Sequence, residues 1–345
     1  MNDRSLMSRR HFLRQACAAG AFLAAASSGV TLVPGISSAA PSRSGKETTE
    51  QQTRLLMGTF VTLTVVSRDK SVAQDAMAAA FAEIERLCAV FDRHSDSSAL
   101  SQLNASGSMT GTPEELYRVL NESERIGQLT GHAFNPAITP VVDLLGGAKS
   151  RSSLPSFSDK DLQDALALSA PARIVAPGGA LRLPREGMRI TLDGIAKGFI
   201  ADAASRVLSD AGMANHMVNA GGDISVRGHS GAGNPWQVGV RYPGNAGAML
   251  GSSLITSGGI ATSGSYEQNY NRSGSRNHLI SHLTGKSSDV LSVTVKAATA
   301  MRADALATAL AVMPAVEGMR LMRSPEEACL IVDRHGRRYA SDHWA

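Results

Sequence analysis

Cysteine is nearly absent from this 345-residue chain: Cys17, Cys88 and Cys329 are the three. No CxxC spacing occurs among them, which excludes a zinc ribbon and a thioredoxin-like redox motif. Long runs of one charge are missing too. The formal net charge is +4, but the basic excess sits in Arg4, Arg9, Arg10 and Arg14, opposed there only by Asp3. Without the first forty residues, 30 basic and 29 acidic residues remain, with no Lys/Arg tract, so nucleic acid is not an expected partner. No stretch is apolar enough to make a transmembrane segment of the mature chain. Aromatics are scarce at 4%. With 43% hydrophobic and 19% charged residues, the chain is long enough to bury a large core, and global disorder is excluded.

Several catalytic signatures are missing as well. LTGKS (283–287) ends like a phosphate-binding loop, but that pattern needs glycine at 280, where Ile280 stands. No G-x-G-x-x-G follows a strand, and neither H-E-x-x-H nor G-x-S-x-G occurs.

What is present begins at the N-terminus. Residues 1–40 carry Arg9-Arg10, then Phe12 and Leu13, a mildly apolar Ala/Gly stretch and Ser38-Ala39-Ala40. This is the pattern of a signal peptide, and S-R-R-x-F-L resembles the twin-arginine export signal, so a periplasmic or extracytoplasmic location is expected. Cys17 leaves with the signal. Cys88 and Cys329 could pair in an oxidising compartment. Cys88 falls on an apolar helical stripe, where a buried free thiol fits as well. Residues 41–54, PSRSGKETTEQQTR, are polar and aperiodic and read as a flexible spacer before a domain over 55–345.

GTFVTLTVV (58–66) alternates as a strand, and Met77, Phe81, Ile84, Cys88 and Phe91 recur with helical spacing. In TPEELYRVL, Thr112 and Glu115 read as a capping box, with Gly131 ending the helix. FNPAITP cannot be a long helix because Pro136 and Pro140 interrupt it. MRITLDGIAKG reads as a strand entering a glycine turn, followed by a helix closed at Gly212. HMVNAGGDISVRG, WQVGVRY and SVTVKAA read as strands, RADALATALAVM as the last long helix and CLIVDRHGRRYAS as a closing hairpin. Irregular alternation with late meander-like strands predicts an α+β fold with mixed or antiparallel sheets and packed helices.

Three glycine-marked stretches could approach a ligand: LDGIAKGF (192–199), NAGGD (219–223) and TSGSYE (262–267); each taken singly is also an ordinary turn. Asp304 and Thr308 sharpen the matter. They lie four apart on an otherwise apolar helix, so they share a face. A solvated face or an acid complementing the helix dipole is one account. The other is a hard cation: a carboxylate and a hydroxyl suit Mg²⁺, which fills its shell with water and phosphate oxygens.

The ordered set MGTF (57–60), SALSQLN (98–104), GHAFNP (131–136), LDGIAKGF, VNAGGDISVRG (218–228), SGSYEQ (263–268), HLISHLTGK (278–286) and ADALATAL (303–310) resembles the ApbE family of FAD:protein FMN transferases. The likeness spans roughly residues 55–340. It implies an exported enzyme that uses FAD and Mg²⁺, passes FMN to a Ser or Thr hydroxyl of an acceptor flavoprotein and releases AMP. The acceptor would be a subunit of a membrane-associated redox complex. An exported FAD carrier, or an FAD pyrophosphatase without protein transfer, is the alternative. Carried over by residue, metal ligands fall on the Asp304 and Thr308 side chains and the Ala196 carbonyl. FAD contacts fall on Met57, Ala133, Phe134, Asn135, Asp193, Lys197, Phe199 and His278, with Phe91 packing on the flavin or adenine. Asp304 and His278 are the catalytic candidates. His278 either takes the acceptor's proton or only contacts the cofactor. The chain departs from the family at Ser281-His282, where Asp-Pro is usual, at Asn135, where Asp is commoner, and at Ala99, where Glu is usual. LLGG also lacks the Trp often found after the Pro-bounded segment.

Overall fold

In the computed structural model the described residues are 30–32, 47–146, 157–175, 179–243, 248–266, 270 and 277–344. Most of the expected export signal therefore lies outside them. Its residues Val30–Leu32 form a short strand, β1, and β2 follows at Thr48–Leu56. β2 replaces most of the expected spacer. Met57 and Gly58 both have positive φ (53° and 70°), the two-residue turn that matches the twist of a hairpin. That turn folds β2 onto β3 (Thr59–Ser67), pairing Leu56 with Thr59. β2 lies at the edge of its sheet and is mostly solvated, so its side chains need no apolar alternation for a reader to detect.

α1 (Lys70–Phe91) starts on Asp69, whose carboxylate accepts from the Ser71 and Val72 amides. α2 (Ala99–Ser106) starts on Ser98, and β4 (Ser108–Met109) follows. α3 (Glu114–Leu129) differs from expectation. Pro113 flanks it without a side-chain cap, and the Glu115 carboxylate pairs with Arg86 on α1 (2.5 Å). FNPAITP becomes a 3-10 turn (Pro136–Ile138) running into α4 (Thr139–Gly146), where Pro140 occupies the first turn and its missing N–H costs nothing. α5 (Asp159–Leu168) opens with a complete capping box between Ser158 and Asp161, and β5 is Leu181–Arg182.

Residues 188–193 run without strand pairing, against the expectation. The Asn104 side chain takes the place of a neighbouring strand: its amide donates to the Ile190 carbonyl (2.9 Å) and accepts from the Ile190 N–H (2.8 Å). α6 (Ala196–Asp210) follows, then β6 (Asn215–Ala220), β7 (Asp223–Arg227), β8 (Trp236–Arg241), β9 (Met249–Ile255), β10 (Ser257–Gly264) and β11 (Val290–Ala297). The chain closes with α7 (Ala300–Ala311), α8 (Ala315–Leu321), β12 (Ala328–Asp333) and β13 (Arg338–Ala340).

The main sheet is antiparallel, ordered β13-β12-β11-β10-β7-β6-β3-β2. α1 packs on β3, α6 on β6 and β7, and α7 on β10 and β11, building the principal core. On the other side β8 and β9, with β1, form a small sheet. Trp236, Val238 and Ile255 meet Met217, Ile224, Val226 and Ile260 there in a second core. The α+β expectation holds. Cys88 is half-buried and Cys329 buried, and both are free thiols; burial pushes Cys329 up to about 12, which leaves it inert. No helix among the described residues is long and apolar enough to cross a membrane.

α6 and α7 cross at very short range. A Cβ on Gly198 would lie 2.3 Å from the Ala300 carbonyl oxygen, and α7 sits as tightly on β10, where a Cβ on Gly259 would lie 2.2 Å from the Ala300 nitrogen. Each helix also caps the other. Asp202 of α6 accepts from the Ala300 (3.0 Å) and Met301 (2.9 Å) amides at the start of α7, and Asp304 of α7 accepts from the Gly198 amide (3.1 Å) in the first turn of α6.

Gly198→Ala is expected to force the helices apart and cost about 1–3 kcal/mol or more, read from denaturant unfolding. A second expectation concerns pH. His216 is fully buried; its Nδ1–H donates to the Met213 carbonyl (2.6 Å), so Nε2 accepts from the Ser205 hydroxyl (2.7 Å). Burial holds its pKa below the ordinary 6.5. As pH falls through 6.5 the unfolded chain takes up the proton before the folded one, so stability drops, by up to about 1.4 kcal/mol per pH unit until the folded pKa is reached. Thermal unfolding between pH 7 and 5 should show that slope, reduced in His216→Gln.

Candidate functional site

The crossing of α6 and α7 gathers the oxygens singled out in the sequence. Asp304 is buried, and Thr308 lies one turn further along α7 on the same side. Both face the Gly194–Gly198 stretch that opens α6. The Thr308 hydroxyl is 3.4 Å from the Gly194 carbonyl and 3.3 Å from Ser263 Oγ on β10, and a Cβ on Gly194 would sit 2.7 Å from it. Only glycine lets the backbone come this close. Ala196, the first residue of α6, belongs to the same stretch. A carboxylate, a hydroxyl and backbone carbonyls form a hard-oxygen set that fits Mg²⁺ and suits zinc poorly. Ser263 adds an oxygen that sequence reasoning missed. Its stretch stands out in the sequence for its glycine, while the serine's nearness to Thr308 depends on strand register.

A cavity of about 60 Å³ adjoins this point, and its wall brings together Ala133, Phe134, Asn135, Gly194, His278, His282 and Thr308. The 131–135 turn is sharp: Gly131 and His132 have φ of 59° and 66°. Thr130 Oγ1 accepts from the Phe134 amide (3.2 Å). Asn135 Oδ1 accepts from the Ala137 N–H (3.0 Å) while Nδ2 donates to the Ser169 carbonyl (2.7 Å). An aspartate could make the first bond but not the second, so the amide at 135 ties the turn to the end of α5. At the other departure, Ser281 Oγ accepts from the Leu283 amide (3.3 Å), a local turn bond open to Ser and Asp alike.

The other expected FAD contacts stand off this cavity's wall. Met57 forms the β2–β3 turn. Phe91 and Phe199 pack edge to face at 5.6 Å, both buried, with the Arg118 guanidinium 5.5 Å from the Phe199 ring. Asp193 is exposed and pairs with Arg93 (2.9 Å), which also approaches Asp143 (3.8 Å). Lys197 pairs with Asp223 at 2.6 Å. Burial drives the Asp223 carboxyl above its usual range, and the ammonium pulls it back. Asp223 ends the NAGGD stretch, so that motif contributes the partner of Lys197. Arg93 carried no sequence signal, because its pairing with Asp193 spans a hundred residues.

Comparison with known proteins agrees with this architecture. A sequence profile described as the ApbE family matches residues 57–331. The FAD:protein FMN transferase of Salmonella typhimurium is 28% identical over 335 residues, covering 94% of this chain and 93% of its own length. That of Treponema pallidum is 31% identical over 295 residues, covering 78% and 80%. Among solved structures, the flavin transferase ApbE from Vibrio cholerae superposes with a TM-score of 0.73 at 26% identity, covering 86% of this chain and 99% of that one. The ApbE protein of Thermotoga maritima gives 0.77 at 25% identity, covering 86% and 97%. The chain belongs to the ApbE family, and it is an enzyme of the transferase class.

Proposed function

We propose that this protein transfers FMN from FAD to a Ser or Thr hydroxyl of an acceptor flavoprotein, using Mg²⁺ and releasing AMP. The observation that carries the reading is the convergence of Asp304, Thr308 and the start of α6 beside a cavity walled by the 133–135 turn and two histidines.

The acceptor oxygen forms a bond to the FMN phosphorus as the bond from that phosphorus to the AMP oxygen breaks. Such transfers are governed by positioning and charge neutralisation more than by covalent help from the protein. Asp304, Thr308 and the Ala196 carbonyl would hold the metal; when bound, Mg²⁺ supplies charge neutralisation on the pyrophosphate oxygens. The amides that open α6 present their positive end toward the same point. The Ala133–Asn135 turn, fixed from behind by Ser169, shapes the wall against which FAD lies. An imidazole on that wall, His278 in the first instance, takes the acceptor's proton or holds the cofactor. Export by the N-terminal segment, and an acceptor in a membrane-associated redox complex, belong to the same proposal. They rest on Arg9-Arg10 and the family resemblance.

The test is incubation of the mature protein with FAD, Mg²⁺ and a candidate acceptor. An acceptor mass gain matching FMN, with AMP released, is the expected result. Free FMN and AMP without modification would instead mean a pyrophosphatase, and intact bound FAD a carrier. Asp304→Asn separates chemistry from folding. It keeps an acceptor for the Gly198 N–H, so unfolding should shift only modestly, while transfer should fall at least about 100-fold. Wild-type rates in Asp304→Asn would refute the metal assignment.

A further inference from the structure

The main sheet ends in two edges that are built differently. β13 is only three residues long and carries Arg338, and shortness and charge both keep a stray strand away. β2 has no such protection. It runs for nine residues in unbroken register with β3, from Thr48 opposite Ser67 to Leu56 opposite Thr59, with neither proline nor bulge. Its two charged side chains are taken up by α1 and the residue that starts it, where Glu50 meets Lys70 (3.5 Å) and Arg54 meets Glu85 (3.2 Å). The Phe60 carbonyl accepts from the Gly221 amide (3.2 Å) on the β6 side, so Leu55 and Phe60 oppose each other without exchanging bonds. By the antiparallel alternation, Thr49, Gln51, Thr53 and Leu55 turn their N–H and C=O groups outward. Among the described residues none of these groups has a partner.

The tip of this hairpin is apolar. Leu55 is 57% exposed and Phe60 47% exposed, and as a cross-strand pair they form one patch. It lies on the face opposite Arg54, whose guanidinium sits over Phe81 of α1 (4.2 Å). The tip also adjoins the proposed transfer site. A Cβ on Gly221 would lie 2.5 Å from the Thr59 hydroxyl, and two residues further on Asp223 pairs with Lys197 (2.6 Å) in the first turn of α6. Met57, in the turn itself, is an expected FAD contact.

We propose that β2 is the docking edge for the acceptor flavoprotein, an extended segment of which adds to the sheet as a further strand beside Thr49, Gln51, Thr53 and Leu55. This rests on the transfer reading above. Main-chain bonds along the edge supply affinity whatever the segment's side chains, and the Leu55–Phe60 patch takes an apolar residue of it. The segment's continuation past Met57 and Gly58 carries the Ser or Thr toward the pyrophosphate. Place and chain length set the occupant. An enzyme that modifies proteins must seat a polypeptide next to its cofactor, and this edge ends there. The N-terminal segment cannot fill it after export: the expected cleavage after Ala40 leaves residues 41–47 ahead of β2, too few to turn and cover nine residues.

The experiment compares Thr53→Pro, Thr53→Val and Leu55→Lys with wild type. FMN transfer is followed by acceptor mass against acceptor concentration, with the acceptor that gains FMN in the assay above as probe. FAD affinity is read by quenching of flavin fluorescence. Proline at 53 removes one outward N–H and no bond of the backbone to β3. Valine there removes the hydroxyl contact to Thr62 (2.9 Å) and keeps that N–H. Leu55→Lys puts a charge in the patch and leaves the backbone alone. The expected result is an acceptor KM raised about tenfold or more in Thr53→Pro and Leu55→Lys, against about threefold or less in Thr53→Val. Saturating kcat and FAD affinity should stay within about threefold of wild type in all three. Wild-type KM in both Thr53→Pro and Leu55→Lys would overturn the proposal, and so would a loss of FAD affinity that matches the rise in KM. A wild-type dimer, seen by sedimentation, that Thr53→Pro dissociates without change in KM would assign the edge to a second copy and overturn it too. A wild-type protein that binds FAD but never modifies an acceptor would sink the transfer reading itself.

Discussion

Two aspartates, each belonging to one helix and capping the other, hold the centre of this molecule. Asp202 closes the N-terminus of α7 and Asp304 binds within the first turn of α6. Hydrogen bonds to a charged group contribute about 1.5–3 kcal/mol each, and here they join elements roughly a hundred residues apart in sequence. The pairing needs the helices to touch, which is why glycine stands at 198, and α7 also lies against β10 at Gly259; at either position a side chain would meet the Ala300 backbone. Once the helices are locked, the positions of Thr308 and of the Gly194–Ala196 stretch follow. The proposed metal site is therefore set by the same contact that orders the core, and Asp304 serves both.

Several parts of this arrangement are legible in the chain. The alternation at 59–66, the helical stripe ending at Phe91 and the acid and hydroxyl on an alanine helix all reflect local periods of two or 3.6 residues. They reappear as β3, α1 and α7. What escapes is long-range or compensatory. β2 carries no apolar alternation because an edge strand can stay wet on much of its surface. Residues 188–193 look like a strand because Ile190 and Leu192 are buried, yet their backbone partner is the side chain of Asn104, eighty-six residues earlier. Thr112 and Glu115 match a capping box, but no side-chain cap forms and the carboxylate pairs with Arg86 on another helix. In each case a tertiary partner outbids a local pattern, and no window of sequence contains both halves of the interaction.

The departures from the family pattern divide the same way. Asn135 is not a weakened aspartate. Its amide makes a second bond, to Ser169, that a carboxylate could not make. Ser281 preserves a turn bond that either residue could supply. Neither departure leaves a gap in the protein's own hydrogen bonding. The resemblance therefore tolerates both, and the cavity wall stays in place.

The polar groups of the helix crossing and of the cavity beside it can be sorted by how fully the protein itself satisfies them. Asp202 accepts from two amides and from the Ser225 hydroxyl (2.9 Å), and even so its burial raises its pKa, so it has nothing to offer a ligand. Asn135 is used at both ends. Among the described residues Thr308 has only contacts of 3.3 and 3.4 Å, long for a hydroxyl and too loose to fix it. Saturated groups are the framework, since moving any of them would strand a buried partner. Loosely bonded ones can exchange a weak protein contact for a strong one to a phosphate, a cation or an alcohol at little cost. Around this cavity, binding energy is available at the groups the fold has left loosely bonded, Thr308 among them.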